Sequence, residues 1–284
     1  MLGSMNKLMA ATAPFQPGFA VRLPLVIDVV PLLAEIDALG AEPWRVHFNT
    51  GYHDGGWSGV VLQSAGGNEN TLHLGGAGSS GDSVQPTALS SGCPAIMRAI
   101  TMFQCEVKAA RLLRLAAGST IREHHDADLI WGEGEARLHI PLLTHPDVAF
   151  YVADQRVQMV AGECWYLNLS LPHRVHNRSA QARVHLVLDC AVNDWLTDQL
   201  QRGAPPTLAS LQTIDDATAQ FQAFRETVFR DPTVRDQLRA CGEMDEFMAL
   251  AVMLGAAHGF MFSVEDVRAQ VSRARRDWIE QWIV

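Results

Sequence analysis

The residues with the clearest chemical potential lie in Ile121-Arg-Glu-His-His-Asp-Ala-Asp128. The centre of this stretch, His124-His125-Asp126, reads as His-x-Asp, and a distant histidine follows in Leu171-Pro-His173. Two imidazoles and one carboxylate form the facial ligand set that holds non-haem Fe(II) and leaves coordination positions open, with room for a bidentate 2-oxo acid and O2. Arg183, ten residues past His173, supplies a planar fork of donors suited to a carboxylate. With eleven histidines in the chain, His-x-Asp alone also arises by chance as two polar residues on a loop. Zinc-dependent hydrolysis is the competing chemistry, although catalytic zinc more often takes three histidines, or two histidines and a glutamate. His125 is expected to face away from the metal, because neighbours on a strand point to opposite sides. His176 and His185 are further candidates near the third position. His185 shares a face with Arg183, and a hydrogen-bonded interior histidine is at least as good a reading of it as a pocket liner.

Such a site needs a rigid frame, and the sequence before and after it reads as short strands. Residues 15–26 suggest an opening strand, and Asp28 an N-cap for a helix whose apolar positions are Leu32, Leu33, Ile36 and Leu39, ending at Gly40. Trp44–Phe48, Trp57–Gln63, Glu106–Ala116, Arg137–Leu143, Cys164–Leu169 and Arg183–Asp189 read as strands, with a helix over 93–103. Val148–Ala153 and Val157–Val160 predict a hairpin around Asp154-Gln155. Many short strands between Gly, Pro and Asn turns point to a sandwich or jelly-roll barrel, in which residues i and i+2 of one strand aim at a common ion. Residues 64–92 are rich in Gly, Ser and Asn and read equally as a functional lid or a mobile loop.

Past Gly203-Ala-Pro-Pro206, which reads as a linker, the texture becomes helical, with segments near 215–230, 231–241, 243–257 and 263–282. Asp231-Pro232 and Ser263-x-Glu265 look like helix starts. Arg268, Arg273, Arg275 and Arg276 read as a solvated face.

The formal charge of −9, from 22 basic and 31 acidic residues, argues against a nucleic-acid surface while allowing small acidic ligands. Five cysteines, an odd number without C-x-x-C spacing, argue against a disulfide framework or a zinc knuckle and favour a reducing cytoplasmic setting. Met1-Leu-Gly-Ser-Met5 resembles an expression scar. No apolar run reaches the ~20 residues of a membrane span, so no membrane association is expected.

The block from Arg111 to Asp189 resembles the aspartyl/asparaginyl β-hydroxylase family of Fe(II)- and 2-oxoglutarate-dependent dioxygenases, which includes bacterial free-amino-acid hydroxylases. The matching stretches are Gly118–Asp126, Ala136–Leu142, Ala161–His173, His176-Asn177 and Ala182–Asp189, with Trp44–Thr50 and Gly56–Leu62 resembling its N-terminal part. The resemblance implies a mainly β fold with added helices: a double-stranded β-helix (jelly-roll, cupin-like) dioxygenase domain over 5–202, with a helical domain over 207–284. It implies His124, Asp126 and His173 as catalytic iron ligands and Arg183 as the holder of the far carboxylate of 2-oxoglutarate. Arg137 and His139 would face the cofactor or the substrate; a surface charge on an edge strand is the plainer reading of Arg137. The implied reaction hydroxylates an unactivated C–H bond of an amino acid, a derivative or an Asp/Asn-type peptide side chain, giving succinate and CO2. Trp131, Trp165 and Tyr166 would wall the pocket, unless they are core. Phe221–Pro232, Leu238, Phe247, Leu250-Ala251, Leu254-Gly255 and Gly259–Glu265 resemble the nitrogen-fixation-associated leader-peptide domain. That likeness implies a module for a peptide or protein partner, or a helical bundle that packs on the barrel or forms a homodimer. A non-catalytic jelly-roll binding module is the alternative to the enzyme.

Overall fold

A computed structural model describes residues 15–69, 83–126, 129–206 and 216–272. Twelve strands occur in these segments: β1 (Ala20–Val26), β2 (Arg45–Val46), β3 (Trp57–Ala65), β4 (Val84–Pro86), β5 (Val107–Leu115), β6 (Thr120–His124), β7 (Glu135–Leu143), β8 (Val148–Val152), β9 (Gln155–Val157), β10 (Glu163–Leu167), β11 (His173–Asn177) and β12 (Arg183–Ala191). The larger sheet has the order β1-β10-β7-β12-β5-β3-β2, with β4 on β3, and the smaller has the order β6-β11-β8-β9. All the pairs are antiparallel. From β5 onward the chain passes back and forth between the sheets, with only the β8–β9 hairpin staying within the smaller one, in the manner of a double-stranded β-helix, so the jelly-roll expectation holds.

Period-2 alternation divides the core in two. On β7, Ala136, Leu138, Ile140 and Leu142 face one way, as do Val184, Leu186, Leu188 and Cys190 on β12. They pack with Leu32 of α1 (Val30–Leu39), Ile96 and Ile100 of α2 (Pro94–Ile100), and Leu196 and Leu200 of α3 (Asp194–Gln201). The opposite face of the large sheet meets the small sheet through Leu113, Leu115, Val187, Ile121, Phe150, Val152 and Val175. Fully burying one such aliphatic side chain contributes about 1.5–3 kcal/mol, so both faces are strongly specified.

Several elements depart from the sequence reading. The predicted strand 44–48 contracts to Arg45–Val46, while Trp44 stays buried and carries the Arg114 guanidinium 4.3 Å above its ring. The hairpin turns at Ala153-Asp154, one residue earlier than expected, with φ of 48° and 62° at the two positions. β10 stops at Leu167, two residues short of the expected end. Strand β11 and helix α3 were not anticipated; Asn193 caps α3 by accepting from Leu196 N. The expected linker is partly structured, since Arg22 and Ala204 exchange two backbone hydrogen bonds. Asp28 accepts from Val30 N at the start of α1, and Gly40 ends that helix at φ 64°. The five cysteines are all free.

Helices α4 (Asp216–Arg230), α5 (Pro232–Arg239) and α6 (Met244–Ala257), with a further helix at 264–272, share a third cluster that includes Phe221, Phe224, Leu238, Met248, Phe262 and Val267. Asp231 caps α5 as expected. The last helix starts with a capping box, but the partner of Ser263 is Asp266, not Glu265: Ser263 N donates to Asp266 and Asp266 N donates back to Ser263. Asp266 also accepts two bonds from Arg178, in the β11–β12 turn, and so ties the helical segment to the barrel. Met1–Met5, residues 70–82, Asp128 and the arginines beyond 272 lie outside the described residues. No helix among the described residues is long and apolar enough to cross a membrane.

Asn177 closes the small sheet onto the large one. Its amide nitrogen faces the carbonyls of Leu115, Ala116 and Gln181, and its oxygen accepts from Ser179 N and Oγ. Asn177→Ala leaves buried carbonyls without a donor and is expected to cost about 2–3 kcal/mol. Urea unfolding of the variant measures this directly, and a loss below about 0.5 kcal/mol would mean that the turn closes without it.

Candidate metal and anion site

His124 is the last residue of β6, and His173, the first of β11, pairs with it in register. Asp126 lies beyond the end of β6, so the expected i, i+2 placement on one strand does not hold. Asp126 N instead donates to Leu169 O, which turns its side chain back into the barrel. The three side chains are buried, and each offers one ligand atom within 4.8 Å of the others.

The free valences of this set are defined by hydrogen bonding. His124 Nδ1 lies 2.7 Å from Arg122 O, and His173 Nδ1 lies 3.0 Å from Leu171 O. A carbonyl can only accept, so both rings carry their proton on Nδ1 and keep Nε2 bare, as a metal ligand requires. Asp126 Oδ2 accepts from Arg137 Nη1 at 2.9 Å, while Oδ1 faces His124 Nε2 at 3.9 Å. One oxygen is thus anchored and the other faces the imidazole. Tyr52 stacks on His124 with ring centroids 4.6 Å apart. His125 is exposed, as expected of a residue on the other side.

Arg137 is not a surface charge. It lies on β7, between β10 and β12, and is 2% exposed. The register places Asp189 of β12 opposite it, and Asp189 accepts from Arg137 Nε at 2.6 Å and Nη2 at 3.0 Å. Arg111 Nη1 donates to the same carboxylate. Burial raises the Asp189 carboxyl, but Arg137 and Arg111 outweigh it and hold it well below the usual carboxylate range. Three of the Arg137 donor atoms are therefore engaged by two acids.

The cavity beside the three groups is narrow, about 30 Å³, and anything larger than a water requires its lining to open. Its walls are Trp57, Phe150, Leu113 and Leu169, with Arg137, His139 and Arg183 among the polar groups. Trp131, Trp165 and Tyr166 do not line it. Trp165 donates to Glu163, and Trp131 and Tyr166 pack against one another on the helix side of the large sheet. Tyr166 faces the opposite way from the cavity-lining side chains, whereas Trp165, opposite His139 in the register, shares their face but lies outside the cavity lining. The sequence reading missed Trp57 and Phe150, whose apolar setting marks them only as core residues. Arg183 is 2% exposed and has no carboxylate partner among the described residues; burial lowers its pKa to about 9, which leaves it cationic at neutral pH. His185 bonds to it, whereas His176 lies against Thr120 and Tyr151, away from the triad.

Residues 32–192 match the aspartyl/asparaginyl beta-hydroxylase family, and residues 217–267 match the Nif11 domain. The chain is 33% identical over 105 residues to L-proline cis-4-hydroxylase of Rhizobium meliloti (strain 1021), a match that covers 36% of this chain and 37% of that protein. Among solved structures, a 2OG-Fe(II) oxygenase family oxidoreductase from Burkholderia pseudomallei is similar at 17% identity and a TM-score of 0.41, over 62% of this chain and 86% of that one. HygX from Streptomyces hygroscopicus, solved with nickel and 2-oxoglutarate bound, is similar at 10% identity and a TM-score of 0.39, over 62% and 84%. A prolyl-4-hydroxylase from Pseudomonas putida is similar at 14% identity and a TM-score of 0.36, over 62% and 94%.

The buried histidines give the fold an acid sensitivity of predictable sign. Burial first, then His53, lowers His47 to about 3; burial first, then His124, lowers His173 to about 4. Burial also holds His139 and His185 well below the usual range. The unfolded chain takes up protons on these groups below about pH 6.5 while the folded chain does not, so stability is complete above that pH and falls below it. The melting temperature of chelator-treated protein is expected to drop steadily between pH 7 and pH 5. A flat calorimetric profile across that window would contradict the neutral, buried state of these rings.

Proposed function

Because the chain belongs to the aspartyl/asparaginyl beta-hydroxylase family, we propose that it is an Fe(II)- and 2-oxoglutarate-dependent dioxygenase that hydroxylates an amino acid, an amino-acid derivative or an Asp/Asn-type peptide side chain. The observation that carries this reading is the set His124, Asp126 and His173, with two bare Nε2 atoms and one free carboxylate oxygen beside a buried arginine that has no acid partner among the described residues. Two histidines and an aspartate fit Fe(II) better than catalytic zinc. When bound there, Fe(II) together with 2-oxoglutarate and O2 supplies the oxidising power for C–H hydroxylation, with succinate and CO2 as co-products.

The residues of the chain supply the positioning. His124, Asp126 and His173 hold the metal. Arg183 binds the distal carboxylate of 2-oxoglutarate by charge-assisted hydrogen bonds, and His139 lines the same pocket. Arg137, expected toward the cofactor, serves it mainly by fixing Asp126, because its donors are engaged by Asp126 and Asp189. Trp57, Phe150 and Leu169 exclude water from the reacting centre.

In this reading residues 5–202 form the oxygenase domain and 207–284 a helical domain for a peptide or protein partner, or for a second copy. A cavity of about 320 Å³ among Phe221, Phe224, Phe229, Leu238 and Phe247 supports a binding role for the helices. The chain spans little more than a third of the length of the curated relative it matches, so its substrate is open to direct assay.

The test is succinate release with Fe(II), 2-oxoglutarate and ascorbate across free amino acids and peptides, with product mass rising by one oxygen. His124→Ala and His173→Ala are expected to lower substrate-dependent succinate release at least about 100-fold. Treatment with a chelator should abolish it, and Fe(II), not zinc, should restore it. Unchanged turnover in His124→Ala would sink the proposal. Asp189→Asn leaves two buried guanidinium groups without their acid and is expected to cost about 3–5 kcal/mol of stability, read by urea unfolding, along with metal affinity.

A further inference from the structure

Three arginines project into the space between the sheets, and they are held in two different ways. Arg111 and Arg137 are both bonded to the buried carboxylate of Asp189. Arg183 is bonded instead to a neutral ring: its Nη2 lies 2.9 Å from His185 Nδ1, and its Nε has no partner. The two residues are i and i+2 on β12, so they share a face of the strand.

Donor and acceptor roles in this cluster follow from valence. A guanidinium only donates, so His185 Nδ1 is the bare nitrogen and its proton sits on Nε2. The same Nδ1 lies 3.4 Å from His139 Nδ1. Two bare nitrogens would repel at that distance, so His139 presents its N–H there and keeps Nε2 bare, buried and without a partner. Arg183 and His139 line the cavity, whereas His185 does not. His185 stands behind both and contacts both.

We propose that His185 is a positioning residue for the co-substrate: a neutral acceptor that fixes the Arg183 guanidinium at the pocket wall while leaving its charge available to the distal carboxylate of 2-oxoglutarate. This inference rests on the 2-oxoglutarate reading given above. An acid at position 185 would form an ion pair that an incoming anion must break. An aliphatic side chain would leave the fork unaligned, and ordering it would then weaken binding. The imidazole of His185 aligns the fork without neutralising it. A buried cation with no carboxylate beside it among the described residues is itself a driving force for taking up an anion.

The experiment compares two oxo acids by isothermal titration calorimetry on the full chain, loaded with Mn(II) and kept anaerobic. One is 2-oxoglutarate; the other is 2-oxobutanoate, which chelates metal alike but lacks the distal carboxylate. Wild-type protein is expected to bind 2-oxoglutarate more tightly. His185→Leu should weaken 2-oxoglutarate by about tenfold, the worth of one hydrogen bond to a charged group, with 2-oxobutanoate little changed. His185→Asn should recover most of the affinity, because its side-chain oxygen can stand near the place of Nδ1. His185→Asp should lose more than the leucine variant. A merely structural role would weaken both oxo acids and Mn(II) alike, and that result overturns the proposal. So does a leucine variant that discriminates as the wild type does. If the leucine variant does not fold, equal discrimination by the asparagine and aspartate variants overturns it. Wild-type protein with no preference for 2-oxoglutarate would instead overturn the co-substrate reading.

Discussion

The site depends on one buried carboxylate. Asp189, with no exposed surface, is held by Arg111 and Arg137, and Arg137 passes that constraint on to Asp126. A buried acid is expensive unless it is paired and hydrogen-bonded, and Asp189 has both kinds of support. In return it fixes Arg137 along the floor of the barrel, and Arg137 fixes one oxygen of Asp126. Asp126 lies outside any strand and has no ladder of its own to orient it; the arginine and the bond from its backbone N–H to Leu169 do that work. The carboxylate of the triad is thus aimed by side-chain chemistry, whereas the two histidines are aimed by backbone carbonyls.

The constraint reaches the whole fold through strand register. On β12, Arg183, His185, Val187 and Asp189 face the small sheet, and Val184, Leu186, Leu188 and Cys190 face the helices. A shift of one residue would drive Arg183, His185 and Asp189 into an aliphatic core and turn four apolar groups toward the site. Hydrophobic burial on one face and ion pairing on the other therefore demand the same alignment. The bulge between Val184 and His185 on the β7 side sets where Arg183 and His185 stand relative to His139.

The helical segment is organised by its own cluster and is tied to the barrel by side-chain contacts. Arg178–Asp266 is the clearest, and it reuses the acid that closes the capping box at the start of the last helix. Near it, Tyr52, Arg122, Arg174, Glu265 and Arg268 border a cavity of about 270 Å³. Tyr52 also stacks on His124, so the wall of this junction is in contact with a residue of the triad.

The sequence alone determined the strand-rich frame, because alternation and turn residues are local properties: β3, β5, β7 and β12 were legible from their patterns. It also determined the identity of the chemical groups, since His-x-Asp, His173 and Arg183 are read by type and order, and the likeness of the block from Arg111 to Asp189 to a hydroxylase family is a property of the sequence itself. Strand β11 was missed because His173–Asn177 carries polar residues on both faces, which periodicity cannot recognise as buried. Only the tertiary structure decided which groups are partners. Arg137 reads as a surface charge or a cofactor contact until β12 places Asp189 opposite it. Trp57 reads as core until β6 and β11 arrive beside it and make it a pocket wall. The physical reason is the same in each case: a side chain's role is set by what lies within a few ångströms, and in a jelly roll those neighbours come from strands distant in the chain.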